Sequence, residues 1–504
     1  MPLTHRCRIA VLACLLTLAC LAALASAAGK PNVLFLVLDD MNNDLVFLDG
    51  IPHAKTPNLD RLASQAMLFT HAYCAAPACN PTRAAVLSGV LPSTSGVYDN
   101  SHELQASAAL DACVYLPEHF HNNGYWTMWA GKIFHRRPTE QRLNAMWDNS
   151  KHHDGGYGPP VQPNKGDFIR KTWGDAPQWT GYQKRTGPDT DFPDVRNANA
   201  VIEQLAKPMD KPFFIACGLY RPHTPYTAPK RFFDLYNPDE IQLPPLIEDD
   251  LDDLPPAAME FITANNAHHE EFLRVIKAGE LKGILHAYLA CTSFTDWNVG
   301  RILDALDKSP YADNTLVVLW GDHGFHHGEK QRFTKFALWE KTTNMPMLIR
   351  LPGQKEGQTL PNPVTEMDLY PTLCQLAGLD IPKHVQGKSL TPMFGHPDVD
   401  LGPALSTYGQ SNHTLRTPEY RYIRYANGDE EFYLHPDDRN EWHNQATNPE
   451  YRQIMDKLAA QLPSLNVPAV QAAPDEDQQT HPDKAQQTPR NPARKPKHTD
   501  STEP

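Results

Sequence analysis

Asn32-Val33-Leu34-Phe35-Leu36-Val37-Leu38, followed at once by Asp39-Asp40, is the stretch that decides the fold. A strand with one wet face alternates apolar and polar residues. Six consecutive apolar side chains instead read as a strand covered on both faces, the mark of a parallel sheet between helices. Working outward, 125–130 reads as a weaker strand. Val195, Ala198, Ile202 and Leu205 recur at helical spacing behind a cap at Asp194, and Pro212 leads into a strand over 213–217. The pattern predicts a long helix over 281–306 and another strand over 316–320. Strands alternating with helices make this an α/β chain whose mostly parallel sheet is sandwiched by helices. From about Thr407 short strands and turns take over, at 420–425, Asn427-Gly428 and 431–434, closed by a helix over 451–462. That predicts a small C-terminal antiparallel α+β subdomain. The chain has no internal repeat.

The 504 residues are about three times a typical domain length, which suits one large domain plus a small one. Hydrophobic residues at 41% and charged residues at 21% exclude a wholly disordered chain, a fibre or a multi-span membrane protein. Proline, 46 of 504 residues, stands near 9% against an average of about 5%, so long ordered loops are expected. One such loop is 155–193, rich in Gly, Pro, Trp and Tyr and read as an ordered wall beside a site. After Val467 apolar residues almost vanish, so 467–504 is expected to be a disordered tail. Lys+Arg 46 against Asp+Glu 59 gives a net charge of -13, which argues against nucleic acid as partner. A local cluster of cations can still draw in a small anion.

His5, Arg6 and Arg8 precede an apolar stretch over 9–24 and then Ala25-Ser26-Ala27, the order of a secretory signal peptide cleaved before Ala28. The apolar stretch falls short of the roughly 20 residues that span a bilayer. Anchoring by this segment, or by lipid on Cys20, is the alternative to a periplasmic or secreted protein, and no later segment reads as a membrane span. The chain thus divides into a signal peptide (1–27), a catalytic domain (28–400), a small C-terminal subdomain (401–466) and the tail. Of nine cysteines, Cys74, Cys79, Cys113, Cys217, Cys291 and Cys374 remain after cleavage. Their scatter suggests neither a zinc site nor a dense disulfide framework. A Cys74–Cys113 bridge is left open.

Ligands of a parallel sheet bind outside the carboxyl ends of its strands. The first strand ends in Asp39-Asp40, and the strand at 316–320 in Gly321-Asp322-His323-Gly324. The strand from Tyr125 ends in Gly131-Lys132-Ile133-Phe134-His135, and the strand from Phe213 leads to a loop with Arg221-Pro222-His223. A lone Asp after a strand is ordinarily a turn former or a helix cap. Four strand ends carrying carboxylates, histidines and a lysine to one edge point to a catalytic site. Three clustered carboxylates repel unless a cation joins them, and Asp39, Asp40 and Asp322 suit a hard divalent ion, calcium or magnesium. Cys79-Asn80-Pro81-Thr82-Arg83 adds a cysteine at the positive end of a helix, because Pro81 fits a first turn. His326 and His327, two histidines in a loop, read as solvated. Of the tryptophans at 126, 129, 173 and 179, candidates for stacking on a ligand, the first two read as core.

Cys79-Asn80-Pro81-Thr82-Arg83, continued through Gly89, resembles the signature of the type I, formylglycine-dependent sulfatases of the alkaline phosphatase superfamily. Asp39-Asp40 and Gly321-Asp322-His323-Gly324 are similar to that family's metal-binding motifs. Gly131 through His135, Arg221-Pro222-His223 and Lys335 resemble the iduronate-2-sulfatase branch. The resemblance covers 30–443, with the motifs in order. Asn80 is a less usual residue at its position, and the family does not require the tail. The resemblance implies an alkaline-phosphatase-like fold and a sulfuric ester hydrolase. It further implies one divalent ion, calcium in that family's manner, held by Asp39, Asp40, Cys79, Asp322 and His323. Cys79 would be oxidised to formylglycine by a dedicated formylglycine-generating enzyme during export.

By the same resemblance the aldehyde's hydrate attacks the sulfur, His223 protonates the leaving oxygen, and His135 is the base for sulfate release. Arg83 braces the nucleophile, Lys132 and Lys335 hold the sulfate oxygens, and His323 either ligates the metal or donates to the sulfate. The implied substrate is a sulfated sugar or polysaccharide. The alternatives are a phosphate ester hydrolase of the same superfamily and a non-catalytic binder of sulfated glycans.

Overall fold

The computed structural model describes residues 29–43, 45, 48, 54–151, 182–263 and 266–472. The expected signal peptide, most of the wall at 155–193 with Trp173 and Trp179, and the tail beyond 472 lie outside the described residues. The main sheet contains β1 (Asn32–Asp39), β2 (Met67–Phe69), β3 (Trp126–Gly131), β4 (Asn149–Lys151), β5 (Phe213–Pro222), β6 (Thr315–Gly321), β7 (Met347–Arg350) and β8 (Gln358–Leu360). Their order is β8-β2-β7-β6-β1-β5-β3-β4. Only β7 runs against its neighbours, so the sheet is mostly parallel, as expected. The short strands β2, β7 and β8 escape a reading by periodicity because three or four residues carry no period.

Four helices pack on the main sheet, α1 (Cys79–Ser88), α2 (Pro193–Leu205), α3 (Leu281–Asp307) and α4 (Leu369–Leu376), and α5 (Arg452–Ala459) lies near the C-terminus. Every residue of β1 is buried. Leu34, Leu36 and Leu38 pack into one core with Val195 and Ala198 of α2 and Leu285 and Leu289 of α3. Val33, Phe35 and Val37 pack into the other, with Val86 and Leu87 of α1 and Leu369 and Leu373 of α4. Both faces of the strand thus meet apolar layers, which is why its sequence shows no alternation. Trp129 is buried in the second core, and Trp126 packs against the first.

The strand expected at 213–217 runs on to Pro222. Leu38 of β1 lies opposite Leu219, yet Asp39 lies opposite Pro222, so β5 bulges by two residues. The bulge frees the N–H groups of Tyr220 and Arg221. Both donate to the Asp194 carboxylate, at 2.8 and 3.0 Å. Asp194 is therefore not the helix cap: α2 starts at Pro193 behind Phe192, and Asp194 turns toward the strand from the first turn. Burial pushes its carboxyl up to about 6, against those two N–H groups and Arg221.

β9 (Ala404–Thr407), β10 (His413–Arg416), β11 (Tyr420–Arg424) and β12 (Glu430–Leu434) form a four-stranded antiparallel sheet in that order, with α5 packed on it. The chain beyond it corrects one expectation. Residues 467–472 are ordered: Val467 N–H donates to Ser93 O and Val470 N–H to Gly96 O, each at 3.0 Å, and Gln471 O accepts from Glu103 N–H. Backbone pairing holds this stretch, and composition does not report backbone pairing.

The small sheet joins the large domain through buried charge. Arg421 on β11 pairs with both Glu340 and Glu441, and Arg416 adds a second cation at Glu340. Glu441 also accepts the Glu340 N–H at 2.7 Å, and Trp339 Nε1 donates to Glu431 at 2.8 Å. Removing one partner of such a network strands buried charge. Arg421→Met is expected to lower the unfolding free energy by about 3–5 kcal/mol in denaturant titration. A loss within experimental error would show that the junction is not held this way.

Candidate active site

Four strand ends converge as expected. β1 supplies Asp39 and Asp40, β6 leads into Asp322 and His323, β3 into Lys132 and His135, and β5 into His223. The approach of β3 to β5 requires glycine. A Cβ on Gly131 (φ +73) would sit 2.0 Å from Gly218 O, and one on Gly218 would sit 1.8 Å from Lys132 O. With the two backbones in contact, Lys132 Nζ reaches Asp39 Oδ2 at 2.6 Å.

Asp40 has a left-handed backbone, φ +59, unusual for a residue with a side chain. Two hydrogen bonds hold it there. Its N–H donates to Asp322 Oδ1 at 3.0 Å, and the Tyr288 hydroxyl of α3 lies 3.2 Å from its carbonyl oxygen. Tyr288 also bonds Asn42. Asn42 Nδ2 reaches His327 Nδ1 at 3.3 Å, and His327 Nε2 reaches the Tyr226 hydroxyl at 3.2 Å. His327 is thus buried in a network behind Asp40 and is not solvated, and His326 is buried as well.

Cys79 is the first residue of α1 and fully buried; Ala78 before it offers no capping side chain. Its sulfur lies 3.0 Å from Lys335 Nζ and 3.3 Å from His323 Nε2, and it hydrogen-bonds His135. Burial opposes a thiolate, but Lys132, Lys335 and His323 outweigh it and hold the thiol well below its usual range. Asn80 has a structural task here. It reaches the carbonyls of Asp99 and His102 at 3.0 and 2.9 Å and accepts from Arg136 N–H. Lys335 is aimed by the residue after it: Phe336, φ +61, donates its N–H to Pro77 O at 3.0 Å. Lys335 Nζ also meets Asp40 Oδ1 at 2.6 Å.

Arg83, fully buried on α1, ties the strand ends together. Nε donates to Asp322 Oδ2 at 2.9 Å, Nη2 to Asp39 Oδ1 at 3.3 Å, and Nη1 to the carbonyls of Lys132 and Ile133. Burial opposes ionisation of Asp39, but Lys132, His223 and Arg83 hold its carboxyl below the usual range. At Asp322 burial wins over His323 and Arg83, and the carboxyl is pushed up. His323 is raised to about 9: burial works against its charge, but Asp322 more than offsets that. His135 is shifted down by burial. His223 donates Nδ1–H to Thr224 O at 2.6 Å and leaves Nε2 facing Asp40 Oδ2, 3.6 Å away.

The residues suit a cation. Asp39, Asp40, Cys79 and His323 each place a ligand atom within 4.8 Å of the others. Asp40 Oδ2 is buried without a hydrogen-bond partner. Asp322 stands at the edge of this group, one oxygen on Asp40 N–H and the other on Arg83. Glu340, His435 and Glu441 are equally close together. There Arg421 and Arg416 already offset the two carboxylates, so that cluster reads as a structural junction.

Motif reading missed four supporting residues. Tyr288 and Asn42 hold Asp40, Asp194 holds the bulge before His223, and Glu366 accepts from Ala75 N–H at 2.9 Å and from the Thr82 hydroxyl. Asp194 resembles any helix-start carboxylate, and the other three carry no local signal. All the site residues expected from the motifs meet around Cys79.

The Sulfatase family model matches residues 31–379, and the model described as N-sulphoglucosamine sulphohydrolase, C-terminal, matches residues 328–467. A protein named Sulfatase from Formosa agariphila is 40% identical over 450 residues, spanning 87% of this chain and 87% of its own. Human Iduronate 2-sulfatase is 27% identical over 432 residues, spanning 75% of this chain and 77% of its own. A solved structure of a protein in complex with its substrate D-glucosamine-2-N,6-O-disulfate superposes with a TM-score of 0.67. It is 22% identical and covers 86% of this chain and 97% of its own, a likeness of fold. With a family model over more than half of its length and a relative this similar, the chain belongs to the sulfatase family and is a sulfuric ester hydrolase.

Proposed function

We propose that the chain removes sulfate from a sulfated saccharide, with Cys79 as precursor of the nucleophile. The observation that carries this reading is the setting of Cys79, a fully buried thiol bonded by Lys335, His323 and His135 beside Asp39 and Asp40. Three cations, Arg83, Lys132 and Lys335, already meet three carboxylates. A divalent ion added to that balance leaves positive charge in excess, which an anionic ester can meet.

Asp39, Asp40, Asp322 and His323 would hold the ion, and the oxygen-rich donor set suits calcium. Such an ion supplies Lewis-acid polarisation and lowers the pKa of a bound hydroxyl. Formylglycine at position 79 would supply a nucleophilic hydrate that can regenerate itself, which serine cannot do. Lys132 and Lys335 hold sulfate oxygens as point charges. His223 Nε2 delivers a proton to the leaving sugar oxygen, a poor leaving group without one. His135 accepts the proton given up at position 79 when sulfate departs. Arg83 favours the ionised form of Asp39 and aims both Asp39 and Asp322. The order of residues 5–27 supports export as the route of maturation.

His223→Gln is expected to cut kcat/KM for a sugar sulfate by about 10²–10⁴, the usual worth of a general acid. It should cut turnover of p-nitrophenyl sulfate far less, because that phenolate leaves without a proton. Equal losses on both substrates would remove His223 from that role. Tyr288→Phe frees the Asp40 carbonyl and is expected to weaken calcium binding about 10–100-fold. Calorimetric titration of the chelator-treated protein reads this. An unchanged affinity would mean that Tyr288 does not hold Asp40 for the ion.

A further inference from the structure

Arg332 is a buried charge that the mechanism does not use. It lies three residues before Lys335 and is 1% exposed, less than the 5% of Lys335 or His223 themselves. Buried Arg83, Arg350, Arg416 and Arg421 each face a carboxylate, and Arg221 has Asp194 beside it. Among the described residues no carboxylate pairs with Arg332. Its side chain's only hydrogen bonds among the described residues are two long ones, 3.5 Å each, from Nη1 and Nη2 to Phe336 O. Its Nε is buried without a partner. Taking a guanidinium out of water costs several kcal/mol unless an opposite charge meets it.

A second orphan stands near it. His326 Nδ1 is buried without a partner as well. Burial holds that imidazole well below its usual range, and Arg332 adds to the effect. The surroundings are aromatic: Tyr408 and Tyr425 stand near the Arg332 guanidinium. The Phe336 ring packs 5.8 Å from the Tyr408 ring and lies 5.8 Å from Lys335 Nζ. Phe336 and Tyr408 are both half-buried. Phe336 thus touches both cations, its carbonyl oxygen held by the orphan guanidinium and its ring near the lysine assigned to the sulfate, and the residue borders solvent.

We propose that Arg332 receives a second anionic group of the substrate, a carboxylate or a further sulfate on the sugar bearing the ester or on the next one. The reading rests on the saccharide substrate proposed above. A guanidinium fork presents two parallel donors to either anion, which an ammonium does not. The anion would enter past the Phe336 and Tyr408 rings, take the Nε and Nη donors, and supply the missing counter-charge. The enzyme would then prefer an ester whose sugar carries two anions over the same ester on a neutral sugar.

The test is the ratio of kcat/KM for a doubly anionic substrate to that for a singly anionic one. A 2-sulfated uronic acid reports the carboxylate, a disulfated hexose the second sulfate, and a monosulfated neutral hexose is the reference. Wild type is expected to favour at least one of the two dianions. Arg332→Gln should lower that ratio on the order of 10–100-fold, as loss of a charge-assisted contact does. Arg332→Lys should restore part of it. The substrate whose ratio falls identifies the anion. An unchanged ratio in Arg332→Gln overturns the proposal, whether activity is kept or lost equally on all three, because equal loss would mean that Arg332 only supports the Lys335 loop. If wild type turns over p-nitrophenyl sulfate but none of the sugars, the saccharide reading fails first and this proposal with it.

Discussion

The Arg83 guanidinium is the point on which the active site hangs. It joins the carboxylates that follow β1 and β6 to the carbonyls that follow β3, and it does so from the helix that begins with Cys79. A parallel sheet brings strand ends to one edge but does not space them. One planar cation with donors in a fixed fork does space them, and it keeps two buried carboxylates from repelling each other apart. The opposite shifts of Asp39 and Asp322 follow from their unequal shares of this and the neighbouring cations. Loss of Arg83 would remove the counter-charge and the geometry together.

The second constraint is strain held by packing. Asp40 and Phe336 both have left-handed backbones, and each precedes or follows a chemically assigned side chain. Their conformations persist because distant parts of the chain grip them: α3 through Tyr288 at Asp40, and the turn before α1 at Phe336. The loop carrying Lys335 is further fastened by Lys330, whose Nζ meets Asp250 Oδ1 at 2.6 Å and Glu441 O at 2.5 Å. The small C-terminal subdomain, which carries Glu441, is therefore part of the site's scaffold, although motif reading assigned it no chemistry.

Much of this is legible in the amino-acid order. The run at 33–38 has no polar residue because both of its faces meet helices, and that fact alone implies the layered α/β fold. The charged residues after four strands could be placed at one edge because strand ends carry them there. What could not be read is whatever depends on partners far along the chain. Asp194 looks like a cap until the β5 bulge supplies its two N–H donors. His327 looks solvated until Tyr226 and Asn42 enclose it. Residues 467–472 look disordered because composition measures side chains, whereas backbone pairing to 93–103 holds them.

The central claim is that Cys79 is a precursor, converted before it acts. The most direct measurement is the mass of the peptide containing Cys79, from protein made with residues 1–27 intact and a formylglycine-generating enzyme present. The account predicts a peptide that has lost the thiol sulfur and gained an aldehyde oxygen, and that labels with a hydrazide. An intact thiol in protein that hydrolyses sulfate esters at full rate would contradict it.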